Sequence, residues 1–455
     1  MKNLREYQET GADFLYEHDR AIILGTVGSG KTATTLIAMQ DMLDDGVVNR
    51  WLVVAPKKVA ENVWRQEAAV WTPRLRVEVA VGTPVQRNAA LMSNAHVVVV
   101  NFDVLQSIED LSRFDALCID ELSRFKTPGN PRSLKRTAQK KGKRYEHFWR
   151  LAAHIPVRWG LTGSFTSNGL EDVFGQCRMI DETYLGVAKS RFMKKYFFRF
   201  DNRGVWTPKR GSMETIMSTI RPMVHLLDSG QKSSYETHFV VRSIELGDRE
   251  PYEKMKRDFA VYVNDEKILA KSAAALTTKL QQMAGGFVYQ TTETPSNEYG
   301  KMVTQRQAHW FSPHRFDEID DILQENQRAN TIIAYCYQEE LAELKRRYPH
   351  AVEVRDKDAV DRWNQGKIEL LLLHPKSAGH GLNLQHGGNK IIFSSLPWSR
   401  EEFEQVVGRM TGVNRQVRDV WVYILLTEKT IDARIWAALH EKKTISEIAM
   451  EELAA

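Results

Sequence analysis

The stretch LGTVGSGKTATT, beginning at Leu24, carries a spacing with a chemistry of its own. Gly25, Gly28, Ser29, Gly30, Lys31 and Thr32 fit the pattern G-x-x-x-x-G-K-[ST] in full, directly after an apolar run. Such glycines let backbone N–H groups curl around an anion, and the helix that follows turns its positive end toward the same point. Lys31 is suited to neutralise the β- and γ-phosphates of a nucleotide, and Thr32 to hold Mg2+. A dinucleotide fingerprint fits less well, because its glycine spacing differs and a lysine follows the last glycine here.

Two further groups could act with this loop. FDALCIDELSRFK ends a buried strand on Asp120-Glu121. A carboxylate at a strand end beside a phosphate loop can bind Mg2+ through water, and Glu121 beside it can orient an attacking water. Alone the pair reads as a solvated turn; the phosphate loop upstream gives it force. QVVGRMTGVNRQ, from Gln405, places Arg409 and Arg415 six residues apart. A second arginine on the helical face of Arg409 belongs three or four residues on, yet those positions hold Gly412 and Val413.

These residues need elements to position them. AIIL, WLVVA, VEVAV, HVVVV, ALCI and RWGL in the first third read as strands buried on both faces, with helical stretches between them as crossovers. Residues 178–230 are rich in Arg, Lys, Phe and Met and read as helical with loops. Residues 237–246 alternate like one strand, and 250–283 read as helical again. A second strand series follows: NTIIAY, AVEV, IELLLL, NKIIF and VWVYILL. The expected organisation is α/β, with lobes over 1–177 and 311–455 and a helical, basic insert and linker over 178–310.

Bulk composition agrees with a globular chain. Of 455 residues, 42% are hydrophobic and 27% charged, and 63 basic against 58 acidic residues give a net charge of +5. That permits a nucleic-acid partner without arguing for one. Cys118, Cys177 and Cys336 are far apart in sequence, so they suggest neither a metal site nor a disulfide framework and read as reduced thiols of a cytosolic protein. No apolar run has membrane-spanning length.

Several motifs line up in order. LREYQETGADFL, VVAPKKVAENVWRQE (with Pro56, Lys57 and Trp64), DELSRFK, WGLTGSFTSNGLEDVFGQ (with Thr162, Gly163, Ser164 and Asn168), KLQQMAGGFVY, SAGHGLNLQHGGNKIIFSSLPWS and the stretch from Gln405 together resemble superfamily-two helicases, specifically the Swi/Snf-like branch of ATP-driven DNA translocases. The resemblance runs from about residue 4 to residue 443 and looks most like compact bacteriophage or bacterial members. It implies two RecA-like parallel-sheet lobes with ATP bound between them, and ATP and Mg2+ as cofactors. It further implies that Gln8 reads the adenine, that Lys31, Asp120, Glu121 and Arg409 act on the phosphates, and that Lys57, Asn101, Ser377 and Trp398 lie near a nucleic-acid track. The partner implied is double-stranded or branched DNA held by its backbone, with a monomer in the cytoplasm of a bacterium or infected host.

This chain departs from the family pattern in three places. Gly412 stands where the family carries the arginine used against the γ-phosphate, and Arg415 could replace it only if the backbone loops at Gly412, which glycine permits. Phe165 stands for a proline, and Ser123 for the histidine of a DEAH-type box. Two basic stretches lie outside the motifs. Residues 132–144 hold seven basic residues, Lys140 and Lys141 among them, and no acidic one; a DNA-backbone contact is preferred over a solvated loop or a nuclear-import tag. Residues 191–210 interleave aromatic and basic residues, which suits stacking with backbone contact. An amphipathic helix that buries its Phe and Tyr is the favoured reading there. A strand-separating DNA or RNA helicase and an ATP-gated DNA-binding protein with little turnover remain the alternatives to a translocase.

Overall fold

The structure, a computed structural model, describes residues 3–125, 136–166, 169–199, 206–228, 235–263, 266–270, 272–295, 302–378, 382–411, 418–441 and 453. The chain forms two compact units, one made chiefly of Met1–Lys232, whose core Leu453 joins, and one of Ser233–Ala378 and Leu382–Glu441.

The first unit is built on seven parallel strands. In chain order they are β1 (Arg20–Leu24), β2 (Trp51–Ala55), β3 (Val77–Ala80), β4 (Val97–Asn101), β5 (Ala116–Asp120), β6 (Val157–Thr162) and the short strand Val224–Leu226. They lie side by side in the order β3, β4, β2, β5, β6, β1 and Val224–Leu226. Residues on β2, β4, β5 and β6 are buried throughout, which is why these strands read as unbroken apolar runs. Their side chains still alternate between two cores. Leu52, Val54, Val98, Val100, Leu117 and Ile119 enter one, with Phe148, Phe174 and Ile216 from the helices. Trp51, Val53, Val97, Val99 and Cys118 enter the other, with Leu36, Met39 and Trp64. Three helices matter for the site: α1 (Glu6–Glu17), α2 (Lys31–Asp44) and α3 (Trp64–Trp71).

The second unit holds six parallel strands in the order Thr237–Ile244, Val420–Thr427, Lys390–Phe393, Thr331–Ala334, Leu370–Leu373 and Val352–Glu353. Again one face of the sheet (Ile332, Leu371, Ile391, Val422) and the other (Ile333, Leu372, Ile392, Tyr423) enter separate cores.

The stretch 178–310, expected as an insert and linker, is divided between the units. Ser212–Ile220 buries Ile216, Met217 and Ile220 in the first unit, and Val224–Leu226 pairs with β1. Thr237–Ile244 pairs along its whole length with Val420–Thr427 in the second. Apolar residues spaced through the stretch commit its described pieces to one core or the other. The expected helical run 250–283 is also broken. Helix Glu250–Asp258 stops at Phe259, which has φ 57°, and the hairpin strands Ala260–Val263 and Glu266–Leu269 precede helix Ala273–Ala284.

Candidate nucleotide-binding site

The C-terminal edge of the first sheet gathers the residues with chemistry. The loop between β1 and α2 leaves the sheet at Gly25, whose N–H donates to the Thr162 carbonyl on β6 at 3.0 Å. Gly28 and Gly30 adopt φ of 85° and 88°, in the left-handed region where a side chain is strained. At Gly30 a Cβ would also lie 1.9 Å from the Gln8 amide nitrogen, so glycine is required twice over. Gln8 on α1 and its neighbour Tyr7 both donate to the Ser29 carbonyl at 3.1 Å, and α1 thereby clamps the loop. The Gln8 amide oxygen accepts the Arg5 N–H at 3.0 Å. Lys31 donates to the Gly25 carbonyl at 2.6 Å and the Thr26 carbonyl at 3.0 Å, so its ammonium already lies over the loop. The buried Ser29 hydroxyl has no hydrogen-bond partner among the described residues, which suits a loop shaped around an external acceptor.

Strand β6 separates β5 from β1, with Asp120 opposite Leu161 and Thr162 opposite Leu24. Asp120 therefore ends two strands away from the loop, at the same edge of the sheet. Its carboxylate is buried and accepts the indole N–H of Trp64 at 3.0 Å. The approach of Trp64 depends on an irregular helix start. Residues Val59–Val63 form a π-helical turn, and the Trp64 N–H bonds back to the Val59 carbonyl before α3 proper begins. Glu121 has φ 59°, an uncommon value for a residue with a side chain and one found disproportionately at functional sites. Ser123 is buried in the turn Leu122–Phe125.

The donor set fits Mg2+. The Thr32 hydroxyl and the Asp120 carboxylate are hard oxygen ligands on one sheet edge, beside a phosphate-binding loop. Among the described residues no group of three or more His, Cys, Asp or Glu forms a protein-only cage. Mg2+ is characteristically held by one or two protein oxygens together with nucleotide phosphates and water.

The turn after β6 is closed by its own hydrogen bonds. The Thr162 hydroxyl donates to the Ser164 carbonyl at 3.0 Å, and the Ser164 N–H returns to that hydroxyl at 3.3 Å. Gln176 donates to the Phe165 and Asp172 carbonyls at 3.0 and 3.2 Å. Phe165, which departs from the family pattern, is buried in a core of the first unit. Asn168 lies outside the described residues.

The expected nucleic-acid contacts differ in character. The Lys57 side chain is 65% exposed and 3.9 Å from Glu61. Asn101 uses its side-chain oxygen to accept the N–H groups of Asp103 and Val104 at 2.9 and 3.2 Å, which fixes the turn after β4. Lys140 and Lys141 are on helix Arg136–Ala152, but their side chains lie outside the described residues. In the second unit the buried Ser377 hydroxyl accepts from Arg355 at 3.1 Å. Trp398 is 43% exposed, and its indole N–H donates to the buried Gln281 at 2.9 Å. The same Gln281 oxygen accepts the Tyr337 hydroxyl at 2.8 Å. Arg409 is half-buried on helix Arg400–Thr411, where Phe403, Val406, Val407 and Met410 take the core face. Gly412, Asn414 and Arg415 lie outside the described residues.

Sequence reading missed two positioning contacts, Trp64 to Asp120 and Gln281 to Trp398. A buried indole needs an acceptor for its N–H, so the first had a signal, though not the identity of the partner.

The family model described as SNF2-related domain matches residues 7–244, more than half of the chain. Protein p41 of Acyrthosiphon pisum secondary endosymbiont phage 1 is 28% identical over 476 residues, covering 99% of this chain and 98% of its own. The uncharacterized ATP-dependent helicase YqhH of Bacillus subtilis is 21% identical, over 95% of this chain and 77% of its own. The chromatin structure-remodeling complex subunit snf21 of Schizosaccharomyces pombe is 24% identical over 97% of this chain but only 39% of its own, so this chain spans well under half of that subunit. The phosphate loop, the carboxylate at the end of β5 and the matched domain agree: the chain belongs to the SNF2-related family, in the Swi/Snf-like branch of superfamily two.

Proposed function

We propose that this protein is an ATP-hydrolysing motor that translocates on or remodels double-stranded DNA. The observation that carries the reading is the polar edge of the first sheet, where the Gly25–Thr32 loop, Asp120 and Glu121 converge in a member of this family. Lys31 would exchange its two carbonyl partners for phosphate oxygens. The Thr32 hydroxyl and the Asp120 carboxylate would hold Mg2+, which would supply charge neutralisation to the nucleotide phosphates. Glu121 would position the attacking water, Gln8 would border the adenine, and Arg409 would sense the γ-phosphate. Backbone contacts to DNA would involve Lys57, Asn101, Ser377 and Trp398, and also Lys140 and Lys141, with strong salt dependence and little sequence preference. A monomer in the cytoplasm of a bacterium or phage-infected cell suits this reading, as does the phage relative. Among the described residues no helix is long and apolar enough to cross a membrane.

One observation favours a second reading. Gly412 stands where relatives of this type carry an arginine, so the chain could be an ATP-gated DNA-binding protein with little turnover. The test is steady-state ATP hydrolysis without nucleic acid and with single-stranded DNA, duplex DNA or RNA, beside an Arg415→Ala variant. Stimulation by duplex DNA that the variant abolishes supports the motor and gives Arg415 the missing role. Stimulation that survives keeps the motor and removes Arg415 from it. Strand separation, or preference for single strands or RNA, points instead to an unwinding helicase. No hydrolysis, with ATP and DNA both bound, favours the gated binder.

A further inference from the structure

The stretch 191–210 is only partly explained by core packing. Helix Lys189–Tyr196 buries Phe192, Met193 and Tyr196, as an amphipathic helix should, and Phe197 follows them inward. The remaining residues do not go inward. Arg191, Lys194 and Lys195 occupy helical positions i, i+3 and i+4 and are all exposed, so they share one outer face. The hairpin strands Phe197–Arg199 and Trp206–Pro208 continue that surface, with Arg199 directly opposite Trp206 on one side of the pair. Arg210 follows the second strand and is exposed too. Phe198 and Trp206 are 36% and 39% exposed, large apolar groups with no share in the core. Lys209 ties hairpin to helix by donating to the Lys194 and Lys195 carbonyls at 2.8 and 2.9 Å.

Charge distribution separates this surface from an ordinary solvated face. From Gly186 to Gly211 the sequence has one acidic residue, Asp201, which lies outside the described residues. Arg191, Lys194, Lys195, Arg199 and Arg210 form no ion pair among the described residues. The basic run Lys345, Arg346 and Arg347 in the second unit is the internal control, because it is neutralised by Glu353, Glu343 and Asp317. Surfaces normally intersperse the two signs, so a run of five exposed cations with the exposed Trp206 ring beside Arg199 calls for an anionic ligand with a stacking face.

We propose that this helix and hairpin form a further nucleic-acid contact of the first unit. The cations hold the phosphate backbone, and Trp206 stacks on an unpaired base at a duplex end or branch. The proposal rests on the DNA-motor reading and adds to it a site that discriminates branched from continuous duplex.

The test uses the full chain and fluorescence anisotropy across a salt series, with a blunt duplex and a duplex carrying a single-stranded overhang. Each phosphate contact contributes about 0.9 to the slope of log affinity against log salt. A Lys194→Ala, Lys195→Ala, Arg199→Ala variant should therefore lower that slope by about 2 to 3 on both DNAs. Trp206→Ala should weaken the overhang duplex by about tenfold and leave the blunt one nearly unchanged. Both variants should keep the melting temperature, since all four positions are exposed; if either fails to fold, Arg191→Gln with Arg210→Gln gives the same reading from the flanks. An unchanged slope in the charge variant overturns the site while leaving the motor intact. A charge variant that loses affinity for phosphatidylserine vesicles, but keeps its DNA slope, overturns it in favour of a lipid surface. No DNA binding by the unaltered chain overturns both this site and the motor.

Discussion

Each unit contains a parallel strand that runs through a short loop into a helix, and the two treat the helix N-terminus in opposite ways. In the first, β1 runs through Gly25–Gly30 into α2, with two glycines in left-handed conformation and a lysine at the first helical position. In the second, Thr331–Ala334 leads to helix Gln338–Arg347, and the chain supplies its own anion there. The Glu340 carboxylate accepts the Cys336 and Tyr337 N–H groups at 2.9 and 3.0 Å, and the Ser395 and Ser394 hydroxyls at 2.8 and 3.3 Å. It is almost wholly buried. Burial raises its pKa, opposed by the charge of Arg315 and by these hydrogen bonds. A helix N-terminus attracts negative charge. One unit leaves that attraction to a ligand, whereas the other satisfies it during folding. Two similar sheets can therefore divide the work, one binding and one bracing.

The sharpest way to break this comparison is Lys31→Ala. If the first loop exists to hold phosphates, hydrolysis should fall by about 10²- to 10³-fold, read as phosphate release, with the melting temperature unchanged. A loss of fold instead would make Lys31 a brace like Glu340.

The next largest effect concerns the bracing network of the second unit. Buried Arg315 pairs with Asp432 and donates to the Ser394 carbonyl at 2.8 Å. His314 lies 3.0 Å from both the Ala284 carbonyl and the Thr427 hydroxyl. Burial, with help from Arg315, lowers the His314 pKa from 6.5 to about 4. The unfolded chain thus takes up a proton below pH 6.5 that the folded chain refuses until about pH 4. Stability is present above 6.5 and is lost as pH falls through that window, by about 3 kcal/mol in all. Urea unfolding between pH 7 and 5 should show the slope, and His314→Gln should flatten it.

Glu340→Ala should cost about 2 kcal/mol of stability in the same assay, because four donors lose a buried acceptor. Nucleotide affinity at the first unit should not change. A variant that altered ATP binding without loss of stability would contradict the division of labour.

The smallest effect expected is at Trp64→Phe. Removing the indole N–H that orients Asp120 should raise the Mg2+ concentration for half-maximal binding of a fluorescent ADP analogue by about tenfold. An unchanged Mg2+ requirement would reduce Trp64 to core packing.

How far these two edges could be read beforehand follows from the same contrast. The phosphate loop is local: eight consecutive residues carry it, and β1 and α2 flank it as the apolar runs require. Asp120 was legible because a buried strand ends on it. The central strands of both sheets were legible because burial on both faces writes them as apolar runs. The bracing contacts were not, since Glu340 meets Ser395 and Arg315 meets Asp432 only after distant segments pair. The three-residue strand Val224–Leu226 is too short to show a period, and its place beside β1 comes from tertiary pairing. The seam between the units ran through a stretch that composition alone had marked as one body.

The π-helical turn at Val59–Val63 has a consequence for how this site can vary. One residue advances a helix by about 100°. The turn adds a residue to a single winding, so Lys57 before it and Trp64 after it are out of phase by that angle. Deleting one residue of the five would restore an ordinary helix with the indole still on its present face, whereas rewinding the turn as α-helix at unchanged length would swing the indole by about 100° away from Asp120. The hydrogen bond that orients the Asp120 carboxylate thus depends on the winding of this turn as well as on the identity of its side chains.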